Sequence, residues 1–150
     1  MRFTIFIALV LPLTFFIGCG GNENPFGTVH VEGTITLDGN PIEGVSVMLH
    51  PRDGEQGAGG LTNANGRFTV TTSGFNGARP GSYDITFTKI ELPGQDLSPE
   101  EYNRAFGGRT PDPIYLIPQR YGSPRTSGIE PITVTTDRRQ NVFTFELRSQ

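Results

Sequence analysis

The sequence predicts an all-β fold: a seven-stranded antiparallel β-sandwich with one short helix in a long loop. Three observations lead there. Gly (20) and Pro (12) supply 32 of the 150 residues, too many for a helical bundle. At 35% hydrophobic, with 11 Phe and 4 Tyr, the chain is too apolar to stay unfolded. From Thr28 onward, apolar residues recur with period two in short runs, the pattern of half-buried strands.

The strands follow in order. Val29, Val31, Ile35 and Leu37 point one way, and His30, Glu32, Thr34 and Thr36 the other. Asp38-Gly39-Asn40-Pro41 turns the chain, because Asp and Gly tolerate positive φ. Val45, Val47 and Leu49 line one face of the next strand. Pairing Leu37 with Glu43 across a five-residue loop sets His30 opposite His50 on the outward face. Gly60–Thr62 is a short third strand. Arg67–Thr72 buries Phe68 and Val70, and Ser82–Ile90 buries Tyr83, Ile85 and Phe87. Ile132–Thr136 and Val142–Arg148 close the chain, the last burying Phe143, Phe145 and Leu147. Half-buried antiparallel strands in this number pack as two sheets.

Residues 91–130 interrupt the alternation. Ser98-Pro99-Glu100-Glu101 is a capping box with Pro at the first helical position, so a helix runs on through Phe106 and ends at Gly107-Gly108. The Pro-rich remainder is expected to lie extended across the sandwich with Tyr115, Ile117 and Tyr121 packed inward. Gly54–Gly60 reads as a mobile hairpin tip, and Asn63-Ala64-Asn65-Gly66 as an Asx turn entering the strand at Arg67.

The start of the chain has a different character. Arg2 precedes Phe3 to Ile17, fifteen residues without charge, and Gly18-Cys19 follows. A spanning helix needs nearer twenty apolar residues, and Pro12 lies mid-stretch, so a secretory signal over 1–18 fits better. Phe16-Ile17-Gly18-Cys19 resembles the lipobox of bacterial lipoproteins, and the chain's single Cys stands at its end. That resemblance implies acylation of Cys19, a membrane anchor, and location in the cell envelope on the periplasmic or outer-membrane face. Gly20 stands where enterobacterial lipoproteins kept at the inner membrane carry Asp. Residues 19–27 are expected to form a flexible tether and 28–150 the domain. Removal of 1–18 leaves 15 acidic against 11 basic side chains, a charge of −4, which gives no basis for nucleic-acid binding.

The domain itself resembles carboxypeptidase regulatory-like domains. Val31-Glu32-Gly33-Thr34-Ile35-Thr36-Leu37-Asp38-Gly39-Asn40-Pro41-Ile42-Glu43-Gly44-Val45 looks like their opening hairpin. Thr62 to Phe68 looks like their Thr-Asp-x-x-Gly-x-Phe turn with Asn63 for the Asp, and Pro80-Gly81-Ser82-Tyr83 like their Pro-Gly-x-Tyr. The resemblance covers about 28–148 and implies a transthyretin-like or prealbumin-like sandwich without catalytic residues of its own.

Chemistry is sparse. His30 and His50 are the only histidines, and with Glu32 they fall short of a metal-ligand set. A lipidated Cys19 is a thioether, and no Gly-x-Ser-x-Gly surrounds a serine. Hydroxyisourate hydrolases share the transthyretin-like fold and end in Tyr-Arg-Gly-Ser, whereas this chain ends Glu146-Leu147-Arg148-Ser149-Gln150. No enzyme, cofactor or metal is therefore expected. Arg outnumbers Lys eleven to one. Arg120, Tyr121 and Arg125, with Arg138, Arg139 and Tyr115, are the candidate binding residues, against the alternative that Asp137-Arg138-Arg139-Gln140 is only a solvated turn. The expected role is a structural or protein-interaction module. The alternative is a carbohydrate-binding accessory domain, disfavoured by the absence of Trp.

Overall fold

Leu37 pairs with Asn40 around a two-residue turn in which Asp38 and Gly39 take φ of 51° and 83°. In this computed structural model, which describes residues 24–150, strand β1 (Glu32–Leu37) enters that turn and β2 (Asn40–Pro41) leaves it. The chain continues through β3 (Ser46–Pro51), β4 (Ala58–Leu61), β5 (Arg67–Thr69), β6 (Thr71–Thr72), β7 (Phe75–Asn76) and β8 (Gly81–Thr88). Then come β9 (Ile90–Glu91), helix α1 (Pro99–Phe106), β10 (Ile114–Tyr115), β11 (Ile132–Val134) and β12 (Val142–Leu147). One sheet has the order β11-β8-β3-β4-β6-β7, the other flanks β1 with β12 and with β2 and β5, and β9 and β10 form a separate ribbon. Cys19 and the expected signal segment lie outside the described residues.

The molecule is an all-β sandwich with one short helix, and the expected strands are present, with several local differences. The opening hairpin stops at Pro41, which has no N–H to extend the ladder, and Gly44, at φ 69°, helps turn the chain to the opposite sheet. Thr62 holds that crossing: its hydroxyl donates to the Ile42 carbonyl at 2.7 Å and accepts from the Val45 N–H at 2.8 Å. His30 and His50 therefore belong to different sides of the sandwich and are not cross-strand neighbours. The expected strand Arg67–Thr72 divides at Val70, whose N–H turns to the Val31 carbonyl while Thr71 pairs with Gly59 in the other sheet. One pairing is parallel: β12 runs beside β1 from Glu32↔Val142 to Leu37↔Leu147. Residues 135–141 cross between the sheets at the end where β1 begins, so β12 sets off in the same direction as β1.

The core is the interdigitated inner faces. Val31, Ile35, Val45, Val47, Leu49, Phe87 and Leu147 are fully buried, and Phe145 reaches Phe87, Phe68 and Phe143 with ring centroids at 4.9, 6.4 and 6.4 Å. Among the described residues the buried apolar side chains lie between Val31 and Leu147 and form one core cluster. Close approaches explain two glycines. A Cβ on Gly60 would stand 2.1 Å from the Thr69 carbonyl oxygen, and one on Gly66, at φ 70°, would stand 2.3 Å from that of Ile35. The Asx turn before Gly66 is formed, with Asn63 Oδ1 accepting from the N–H groups of Asn65 and Arg67 at 3.0 and 3.1 Å. The glycine-rich tip is shorter than expected, since Ala58 to Gly60 belong to β4.

Residues 24–27, expected within the tether, contact the sandwich. Asn24 Nδ2 donates to Thr28 O and Oγ1 at 3.0 and 2.8 Å, and the Phe26 ring packs on Phe75 at 5.5 Å, so 24–27 dock on the sandwich. The second difference is Tyr115. It is 44% exposed, because β10 pairs only with β9 in a ribbon outside the sandwich, while Ile117 and Tyr121 pack inward as expected.

Helix α1 carries its full capping box: the Glu101 N–H donates to Ser98 Oγ, and the Glu101 carboxylate accepts from the Ser98 N–H. Hydrogen bonds from Ser98 hold the Glu101 carboxyl below its ordinary value. Ser149 does the same for Asp38, and the side chain and backbone N–H of Arg139 for Asp137. Each group has a lower pKa folded than unfolded. Their stabilising contributions are complete above the ordinary carboxylate range and are lost as pH falls through the depressed folded values. A urea midpoint that is flat at mildly acidic to neutral pH and drops below about pH 4 is the expected profile. Ser98→Ala should remove the hydroxyl's part of the Glu101 share of that drop and leave the part due to the Ser98 N–H.

Candidate functional site

At Thr88, where β8 leaves the sandwich, the chain turns out into the ribbon. The later segment returns through the 3-10 turn Gln119–Gly122, which packs against β8. Between them lies an open cleft of about 490 Å³ lined by Thr88, Tyr115, Gln119, Arg120, Gly122, Ser123 and Thr126. Thr126 Oγ1 donates to the Arg120 carbonyl at 2.7 Å and the Ser127 N–H to the Ser123 carbonyl at 3.0 Å, which pins the cleft wall. Gln119 Nε2 donates to the Tyr115 hydroxyl at 3.3 Å and fixes the ring at the rim. A shallower groove of about 320 Å³, lined by Leu37, Tyr115, Leu116, Ile117, Pro118 and Ser149, adjoins the other side of Tyr115.

The candidate residues separate. Arg120 Nη2 donates to the carbonyls of Arg148 and Gln150 at 2.6 and 2.9 Å, and its guanidinium lies 4.7 Å from the Tyr121 ring centroid. Tyr121 is buried, and its hydroxyl accepts from the Arg148 N–H at 2.9 Å. Together they clamp the end of β12, and only Arg120 also faces the cleft. Arg125 is exposed and outside the lining. Arg138 and Arg139 sit at the entry to β12, the opposite end from Arg120, so the four arginines form no common patch. Asp137 caps that turn and pairs with Arg139 at 3.2 Å, the solvated-turn alternative. Tyr121→Phe is expected to cost about 1 kcal/mol. Faster amide exchange confined to Arg148 and its neighbours would identify the clamp.

The cleft wall offers hydroxyls, one amide, one guanidinium and an aromatic face, and none of its lining residues is His, Asp or Glu. Such a lining can stack and hydrogen-bond a neutral ligand or a polypeptide backbone. A second recess, about 330 Å³, holds Glu32, Leu61, Asn63, Arg67, Phe68 and Thr69. There Glu32 lies 3.5 Å from His30 Nε2 and 3.8 Å from Arg67 Nη2, while His50 bonds Thr86 at 2.9 Å. Among the described residues no group of three or more His, Cys, Asp or Glu could hold a metal.

At the end of the sandwich away from the cleft, one structural residue has no signature in the sequence. Asn141 is fully buried and bridges the sheets. Its Oδ1 accepts from the Thr135 N–H at 2.8 Å, and its Nδ2 donates to the Thr135 and His30 carbonyls at 2.9 and 3.3 Å. In sequence it is one more polar residue after a turn.

Residues 28 and 29 lie at the end opposite the cleft. Thr28 bonds Asn76 and Val29 pairs with Ala78, near the start of β8, whereas the cleft lies beyond its last residue, Thr88. The eight residues of β8 separate the two ends by about 23 Å.

No family model matches the chain, and no curated protein is similar to it. Among solved structures it is similar to BcpA, the major pilin subunit of Bacillus cereus, at 16% identity and a TM-score of 0.43 over 82% of this chain and 30% of that one. It is also similar to a 9R-lipoxygenase from Cyanothece, at 14% identity and a TM-score of 0.37 over 81% of this chain and 16% of that one. The chain thus spans less than a third of the length of either.

Proposed function

We propose that this chain is a lipid-anchored cell-envelope protein whose carboxypeptidase regulatory-like sandwich serves as a non-enzymatic interaction module. The observation that carries the reading is the uncharged run Phe3 to Ile17 ending in Gly18-Cys19, a few residues ahead of a sandwich that contains its own core. Two or three acyl chains on Cys19 make release slow, since each buried methylene contributes about 0.8 kcal/mol. Residues 20–23 add at most about 14 Å of reach at roughly 3.5 Å each. Residues 28 and 29 lie at one end of the sandwich and the cleft with Tyr115 lies at the other, which supports surface recognition by the latter.

Labelling cells with an alkyne fatty acid tests the anchor. Wild type is expected to carry the label and fractionate with membranes, and Cys19→Ser to lose both properties. Cys19→Ser remaining unchanged at the membrane would overturn it.

A second reading, a carbohydrate-binding accessory domain, draws on one feature: Tyr115, half-exposed and oriented by the Gln119 amide at the rim of an open cleft. Retardation in a polysaccharide gel that Tyr115→Ala abolishes would favour it over protein recognition.

A further inference from the structure

We propose that Arg148–Gln150 is a displaceable strap seated in a site that reads polypeptide main chain, and that an extended segment of a partner protein takes its place there. The inference rests on the reading of the cleft end as a protein-recognition surface, and it names what that end recognises. Four hydrogen bonds grip the backbone of the strap. Tyr121 Oη accepts from the Arg148 N–H at 2.9 Å, and Arg120 Nη2 donates to the Arg148 and Gln150 carbonyls at 2.6 and 2.9 Å. On the other side, Asp38 Oδ1 accepts from the Ser149 N–H at 3.1 Å. Arg148 and Gln150 thus turn one way and Ser149 the other, the alternation of an extended chain. The three gripping side chains come from two separate places, the turn between β1 and β2 and the 3-10 turn Gln119–Gly122.

The strap buries no side chain of its own: Arg148, Ser149 and Gln150 are all exposed, whereas Leu147 before them is fully buried. Its release therefore uncovers no core residue and costs only surface hydrogen bonds of small net worth, which places it among the segments that open first. A grip on main-chain groups is indifferent to side chains, so it fits a segment of another sequence equally well. Two recesses adjoin the strap. Arg120 stands on the wall of the cleft of about 490 Å³, and Ser149 on that of the groove of about 320 Å³, beside Leu37, Leu116 and Ile117. Both remain open with the strap in place. A longer segment held by the same three side chains sets neighbouring side chains in these recesses and buries apolar surface that the strap leaves uncovered. That difference drives the exchange.

Titration of acetyl-Arg-Ser-Gln-amide, a copy of the strap, into the chain shortened to residues 24–147 tests the inference, with NMR as the readout. The shortened chain keeps all of β12 and is expected to bind the peptide, with amide shifts at Asp38, Arg120 and Tyr121. Residues 24–150 are expected to bind it about tenfold or more weakly, because a strap on the same chain competes at an effective concentration in the millimolar range. Ser149→Pro removes the N–H that Asp38 accepts and leaves the three gripping side chains and β12 untouched. That variant should bind better than wild type even where the shortened chain folds poorly. Equal uptake by wild type and the folded released forms, or uptake by none of them, would overturn the proposal. Either result leaves the anchored-module reading, which is tested in cells, as it stands.

Discussion

Replacing Asn141 with Leu is expected to remove about 2–4 kcal/mol of stability, because one side chain satisfies three backbone groups. The Thr135 N–H, the Thr135 carbonyl and the His30 carbonyl all lose their partner, and Leu supplies nothing in return. Leu keeps the number of side-chain heavy atoms, so no cavity opens and the loss reads out the missing hydrogen bonds together with the crowding of two bulkier methyl groups. For a domain whose whole stability is of order 5–15 kcal/mol, that is a large share. Asn141→Asp separates the contributions further. The carboxylate still accepts from Thr135 but faces two carbonyl oxygens in a buried site, which raises its folded pKa above the unfolded value. Its neutral form is the tolerated one. The variant should therefore be closest to wild type below the ordinary carboxylate range and fall away as pH rises through the raised folded pKa. Urea midpoints for wild type, Leu and Asp at pH 4 and 7 would display the contrast. Equal losses for Asp at both values would mean that the bridge is not the source of the stability.

Phe145→Ala is expected to cost more, about 3–5 kcal/mol, since it empties the centre of the aromatic cluster between the sheets. Phe145 is 8% exposed and lies against Phe68 and Phe143 in or beside its own sheet and Phe87 of the other. Its removal also loosens the parallel seam between β1 and β12, so amides along β1 should lose exchange protection together with those of β12. A loss below 1 kcal/mol would show that the seam is not part of the cooperative unit.

The parts of this fold readable from sequence are those that local chemistry decides. Val45, Val47, Leu49, Phe68, Tyr83, Ile85, Phe87 and Leu147 alternate with polar residues and are buried as expected. Ser98 to Glu101 cap a helix, and Asp38-Gly39 makes a two-residue turn, because those side chains and that backbone freedom act within a few residues. Partner choice was not legible. The alternation from Val45 to Leu49 is the same whether β3 pairs with β1 or, as it does, with β4 and β8. Pro41 was visible, but its consequence depends on Thr62 waiting on the other sheet. The parallel course of β12 follows from where residues 135–141 cross, which depends on Asn141, fully buried, more than on any periodicity. For the site, Arg120 and Tyr121 were legible as chemistry but not as geometry. Their partners are the backbone groups of Arg148 and Gln150, which no side-chain pattern records.

The reading as an anchored interaction module is tested most directly by photo-cross-linking in intact cells from an aryl azide placed at position 115, in chains with and without Cys19→Ser. The expected result is a discrete protein adduct at the rim of the cleft that disappears when Cys19 is replaced and the domain leaves the membrane. Capture of wall or polysaccharide material alone, or the same adduct with Cys19→Ser, would contradict it.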